Sequence, residues 1–149
     1  MKLFHLLMCS LALFGAGITD EVSFSDCGST GAGVTAVELI PCDDEPCALT
    51  RGSVYIVRTA FVAYTDVEST GFTVQGTIGS QPMWIAEPIN GLCLYVFPRC
   101  PIEAGKSYVY GYAGAVPPDF PLGLTNLRWE LLCPGGRSFV CIEIPVWVV

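Results

Sequence analysis

The sequence predicts an all-β chain, a sandwich of about seven antiparallel strands. Three observations predict it. Short runs of β-branched and aromatic residues recur, each punctuated by Gly, Pro or Asp. No segment sustains the 3.6-residue period of an amphipathic helix. The 149 residues contain neither an internal repeat nor a low-complexity tract and read as one domain.

The chain opens MKLFHLLMCSLALFGAGITD, with one Lys before an apolar run and small residues at Gly15, Ala16 and Gly17. This is the pattern of a secretory signal peptide, cut between Gly17 and Asp20. Its apolar core falls short of the roughly 20 residues that span a bilayer. Residues 1–19 are therefore expected to be removed, and residues 20–149 to form the mature domain. Within that domain the expected strands are 34–40 (VTAVELI), 53–64 (SVYIVRTAFVAY), 71–79 (GFTVQGTIG), 94–98, 106–113 (KSYVYGYA), 125–132 (TNLRWELL) and 138–148 (SFVCIEIPVWV). Successive side chains in a strand point to opposite faces. Tyr55, Val57, Thr59 and Phe61 thus share an inward face, with Arg58 facing water. Tyr108, Tyr110 and Tyr112 align, as do Leu127, Trp129 and Leu131, opposite Arg128 and Glu130.

Composition narrows the function classes. Removing the leader takes Lys2, Cys9 and the single histidine, His5, so the formal charge of −7 becomes one unit more negative. An acidic chain is a poor electrostatic partner for nucleic acid or an anionic membrane. Hydrophobic residues make up 52% of the chain and charged ones 14%. That is more apolar side chain than a domain of this size needs to close a core, and it leaves some to face a ligand.

The stretch PCDDEPC, residues 41–47, admits three readings: a metal site, a redox pair or a staple. Zinc wants four Cys or His ligands, and no mature His exists. Calcium wants six to eight oxygens, whereas the adjacent Asp43, Asp44 and Glu45 splay apart. Four residues separate Cys42 from Cys47, so no CxxC motif is present. A local disulfide across a Pro-bounded turn fits a secreted chain, and its acids are then solvated. Cys93 and Cys100, in CLYVFPRC, make a second short staple at a hairpin end. Cys27, Cys133 and Cys141 remain, and spacing alone does not choose the odd one.

Enzyme chemistry is disfavoured, because without a mature His the usual base for a Ser or Cys nucleophile is missing. Gly105-Lys106 lacks the context of a phosphate loop, and nothing singles out a carboxylate pair. No cofactor or metal is implied. The Pro-rich loops QPMWIAEPINGLC and GAVPPDFPLG place Met83, Trp84, Val116, Phe120 and Leu122 outside strands. Large apolar groups in loops need cover or a ligand. Proline holds such loops with little entropy to lose, so they are suited to line the mouth of a pocket between two sheets.

Taken in order, FSDCGS, PCDDEPCALTRGSVY, AEPINGLC, CPIEAGKSYVY, FPLGLTNLRWEL and VCIEIPVWVV resemble the secreted lipid-recognition (ML) domains. The resemblance is strongest to the small soluble Niemann–Pick type C sterol carriers (epididymal secretory proteins) and covers nearly all of the mature chain. It implies an immunoglobulin-like β-sandwich whose sheets splay around a hydrophobic ligand cavity. It also implies disulfides Cys27–Cys141, Cys42–Cys47 and Cys93–Cys100, leaving Cys133 over in the loop LLCPGG. In the family an aromatic before the EP motif, together with a valine and an aromatic four residues apart, frames the cavity mouth. Val116 and Phe120 match the last two, and Met83 stands in place of the first aromatic, a flexible group that adapts to irregular ligands. Leu39, Tyr55, Val57, Phe61, Leu127 and Trp129 are the implied walls.

The implied function is a secreted carrier that binds a sterol or other small hydrophobic lipid and transfers it, with docking to a membrane or receptor for transfer and no nucleic-acid partner. Two alternatives accompany it. Arthropod relatives include carriers of fatty acids and odour molecules, and other relatives recognise microbial lipids in innate immune signalling. Six mature basic residues make a poor rim for anionic glycolipids. Neither Asn90 nor Asn126 starts an N-x-[ST] sequon, so the sugar handle for lysosomal delivery is missing and extracellular fluid is the expected location.

Overall fold

In the computed structural model, residues 21–67, 73–85 and 91–149 are described; the expected leader and the EP motif at 87–88 lie outside them. Among the described residues ten strands follow in order: β1 Ser25–Asp26, β2 Ala32–Ile40, β3 Cys47–Leu49, β4 Val54–Ala63, β5 Thr73–Ile78, β6 Gln81–Pro82, β7 Val96–Phe97, β8 Ser107–Ala115, β9 Gly123–Leu132 and β10 Ser138–Val148. They form two sheets, which bears out the all-β sandwich. One runs β1-β10-β9-β5-β6, with β3 added to β10; the other runs β2-β4-β8-β7. All pairings are antiparallel except β3 with β10.

The long strands form where the period-2 pattern is cleanest. Along β4, exposed and buried residues alternate from Val54 to Thr59, burying Tyr55, Val57 and Thr59. Arg58 points outward and pairs with Glu38 at 3.3 Å. On β9, Leu127, Trp129 and Leu131 are buried, while Arg128 bonds Glu130 at 3.2 Å and Glu143 at 3.5 Å on the outer face. Charges on the outer faces and apolar groups on the inner ones place a single core between the sheets.

Three disulfides tie the sandwich. Cys27–Cys141 joins the start of the domain to β10 over a separation of 114 residues. Cys42–Cys47 closes the turn before β3, and Cys93–Cys100 brackets β7. Cys133 is a free, partly buried thiol. One expectation needs correction. The run 94–98 is not a full strand: Gly91–Tyr95 forms a 3-10 turn, and only Val96–Phe97 pairs with β8. Pro98 lacks the N–H a longer ladder would need. The second staple therefore brackets a two-residue edge strand, with Cys100 in the loop that joins β7 to β8.

Candidate functional site

The inner face of the β2-β4-β8 sheet can be read by register. Tyr55 lies opposite Gly114, Val57 opposite Tyr112 and Leu39, Thr59 opposite Tyr110, and Phe61 opposite Tyr108. The facing sheet presents Ile78 beside Leu127 and Gly76 beside Trp129. Phe61 anchors the far end, stacked on Tyr108 at 5.8 Å and edge-on to Phe139 at 5.7 Å between ring centroids.

The near end is built by two loops. After β6, Met83 N–H donates to Gly76 C=O at 2.9 Å within one sheet. The next residue crosses to the other sheet: Trp84 and Ala115 exchange hydrogen bonds of 3.0 and 2.9 Å. This antiparallel bridge sets Met83 opposite Val116. Val116 N–H donates to Ser53 C=O at 3.0 Å, and Arg51 Nη1 donates to Phe120 C=O at 3.5 Å. A surface hollow of about 260 Å³ adjoins this end, lined by Ile78, Gly79, Gln81, Phe120, Leu122 and Thr125.

All nine residues expected to line the site, Leu39, Tyr55, Val57, Phe61, Met83, Val116, Phe120, Leu127 and Trp129, are buried. Met83 and Val116 meet at the near end. The two other loop residues behave differently: Trp84 is 60% exposed and Leu122 is 62% exposed. Sequence reasoning missed the crossing at Met83–Trp84, and it missed Gly76 and Gly114. A Cβ on Gly76 would lie 2.7 Å from Trp129 Cε3, and one on Gly114 would lie 3.2 Å from Trp129 Cζ3. The indole thus spans from its own sheet to the backbone of the other. Glycine at an inward strand position is the signal that could have revealed this approach.

The inward tyrosines differ in how their hydroxyls are satisfied. Tyr55 accepts from Thr50 N–H at 2.8 Å and donates to Ala48 C=O at 3.1 Å. Tyr108 accepts from Glu103 N–H at 2.9 Å. Among the described residues, Tyr110, between them on the shared inner face, has no such partner of good geometry, and neither do Thr59 Oγ1 and Trp129 Nε1. Burial drives the Tyr110 phenol well above its ordinary range, with the nearby Thr59 hydroxyl and Trp129 N–H opposing. Among the described residues the site is therefore an apolar interior without a charged group, with the polar atoms of Thr59, Tyr110 and Trp129 at mid-depth.

A family model described as the ML domain matches residues 21–148. The chain is 31% identical over 148 residues to "NPC intracellular cholesterol transporter 2" of Bos taurus, covering 99% of each chain. It is 27% identical to "NPC intracellular cholesterol transporter 2 homolog a" of Drosophila melanogaster, covering 97% of each. Among solved structures, a Niemann–Pick type C2 protein from Japanese carpenter ant superposes with a TM-score of 0.68 at 20% identity, over 85% of this chain and 99% of that one, a likeness of fold.

Proposed function

This chain belongs to the ML-domain family as a Niemann–Pick type C2-like member, and from that membership we propose that it is a secreted, non-enzymatic carrier of a sterol or another small hydrophobic lipid. The observation that carries the reading is the inner surface itself. Strands from two sheets present apolar side chains with no charge among them, under a near end framed by Met83, Val116 and Phe120. Burying roughly 400 Å² of ligand apolar surface contributes about 10 kcal/mol gross. Association costs consume several kcal/mol of this, so affinity near micromolar needs no ionic anchor.

In this mechanism the ligand enters past Met83, Val116 and Phe120 and parts the two sheets, and no bond is made or broken. Trp129 already bridges the sheets, so it must shift to admit a guest. Trp84 and Leu122, large, apolar and exposed on the two framing loops, suit contact with a membrane or receptor during transfer. The leader, residues 1–19, directs the chain outward and is removed, leaving a domain from residue 20.

The test is a titration of delipidated protein with a fluorescent sterol and a fluorescent fatty acid. Val116→Trp should plug the entrance. Phe120→Ala should cost about 1–3 kcal/mol of binding through lost burial. Both should leave Tm nearly unchanged, and ligand entry should change Trp129 fluorescence. Tight binding that ignores both substitutions would place the ligand elsewhere.

A further inference from the structure

The two sheets differ on their outer faces. The middle of the β10-β9-β5 sheet presents Gln75, Thr77, Arg128, Glu130 and Glu143. The other sheet breaks this pattern. From Val54 to Ala60 its outward residues form four cross-strand rows: Val54–Ala115, Ile40–Ile56–Ala113, Glu38–Arg58–Gly111 and Ala36–Ala60–Val109–Phe97. Only the third row carries charge, and there Arg58 is already paired with Glu38 at 3.3 Å. Val54 is 60% exposed, Ile56 40% and Phe97 77%, and Tyr95 adds an exposed ring near Ile56 and Ala113. An antiparallel sheet with one face in water normally turns polar residues to it. A contiguous apolar face of this kind marks an interaction surface.

The face also matches itself in shape. In every row one of the two central strands carries the larger side chain and the other the smaller: Val54 against Ala115, Ile56 against Ala113, Arg58 against Gly111 and, reversed, Ala60 against Val109. A hollow of about 400 Å³ opens beside the small residues, lined by Ile56, Gly111, Ala113 and the edge-on pair Tyr95 and Tyr112, whose ring centroids lie 4.8 Å apart. A two-fold axis along the strands, between β4 and β8, lays β4 of one copy over β8 of the other and keeps each row opposite itself. Large then meets small at every row, as interdigitating sheet faces require. The same axis sets Arg58 over a glycine and not over a second Arg58, and each guanidinium keeps its own Glu38. A chain of net negative charge thus meets itself on a locally neutral face.

We propose that the outer face of the β2-β4-β8-β7 sheet is the contact between two copies of this chain, a two-fold dimer with its axis parallel to the strands. The area of the face sets its strength. Four strands about 4.8 Å apart and seven residues at about 3.3 Å each give about 440 Å² per copy, or about 900 Å² in all. That lies at the low end for specific complexes, so the dimer is weak and reversible, with a Kd in the micromolar range or above. It forms whether or not the chain carries a lipid. For a carrier it has one consequence. Rotation about an axis along the strands leaves both near ends, with Met83, Val116 and the exposed Trp84, pointing the same way. Two entrances then reach one acceptor surface together, and paired weak contacts gain avidity.

The test is sedimentation equilibrium of residues 20–149, disulfide-intact and carrying Cys133→Ser so that no free thiol links copies. The range is about 1 to about 500 μM, chosen to bracket the Kd of so small an interface. Monomer and dimer should interconvert with concentration. Ala113→Ile adds apolar surface, yet it sets Ile against Ile across the contact and should weaken dimerisation about tenfold. Ile56→Ala sets Ala against Ala and should weaken it as well. The double exchange Ile56→Ala/Ala113→Ile restores one large and one small group in the row and should bring the Kd back near its starting value. Both positions are exposed, thermal denaturation checks each fold, and either single variant suffices beside the double one. A chain that stays monomeric throughout overturns the dimer; if it then binds phosphatidylcholine vesicles and Ala113→Arg abolishes that binding, the face belongs to a membrane. Tighter association of Ala113→Ile, the mark of unspecific apolar adhesion, or a folded double variant as weak as the singles, also overturns the proposed contact.

Discussion

Breaking the Cys27–Cys141 bond should cost this domain far more than breaking either local staple. The bond spans 114 residues of sequence, against 5 for Cys42–Cys47. In the chain-entropy treatment, loops of these sizes restrict the unfolded chain by about 5 and about 2 kcal/mol respectively. Native contacts around the longer bond survive its loss. Ser25 and Asp26 still pair with Glu143 and Ile142, Cys27 N–H still donates to Cys141 C=O at 3.0 Å, and Ser29 Oγ still accepts from the Cys141 N–H at 2.9 Å. The penalty therefore falls mainly on the unfolded state, which expands once untied. The assay is equilibrium urea unfolding of a Cys27→Ala/Cys141→Ala double variant beside a Cys42→Ala/Cys47→Ala double variant. The first should lose about 5 kcal/mol, with a lower midpoint and a steeper m-value. Its Tm should fall by about 15–20 °C. Equal losses in the two double variants, or an unchanged m-value in the first, would refute the entropic reasoning.

Two further outcomes follow from titrating groups. Burial raises the Cys133 thiol above its ordinary pKa, and Arg137 pulls only partly back. Thiolate is therefore scarce near neutrality. Iodoacetamide should label Cys133 slowly there and still faster above about pH 9, with linked dimers forming on oxidation at alkaline pH; a labelling rate that plateaus near neutral pH would contradict this. At Asp26, burial works to raise the pKa, but hydrogen bonds from Ser29 and from Gly28 N–H outweigh it and leave the carboxyl below its usual value. A depressed folded pKa contributes stability above the unfolded value and loses it as pH falls through the folded one. The Tm gap between wild type and Asp26→Asn should thus close between about pH 5 and about pH 2. A gap constant across that range would refute the assignment.

By itself, the sequence determined which faces look inward. Alternation along 53–64 and 125–132 separated Tyr55, Val57, Thr59 and Phe61 from Arg58, and Leu127, Trp129 and Leu131 from Arg128 and Glu130. This works because strand periodicity is local and apolar burial dominates it. Strands of two or three residues left no such trace. β1, β3 and β6 exist because β10 and β5 offer edges to pair with, and a pattern of period two cannot declare itself over so short a span. The segment 94–98 failed for a related reason: an apolar run looks alike in a buried strand and in a tight turn. The site followed the same division. Apolar wall positions were legible residue by residue, whereas the crossing that sets Met83 opposite Val116 depends on where separate sheets meet. Tyr55, Tyr108 and Tyr110 share one inward face, yet only the ends of the sandwich offer backbone groups to their hydroxyls. Tyr110 sits at mid-depth, where both sheets have already spent their backbone hydrogen bonds on neighbouring strands, so only the tertiary structure could leave its phenol beside Thr59 and Trp129 without a partner of good geometry among the described residues.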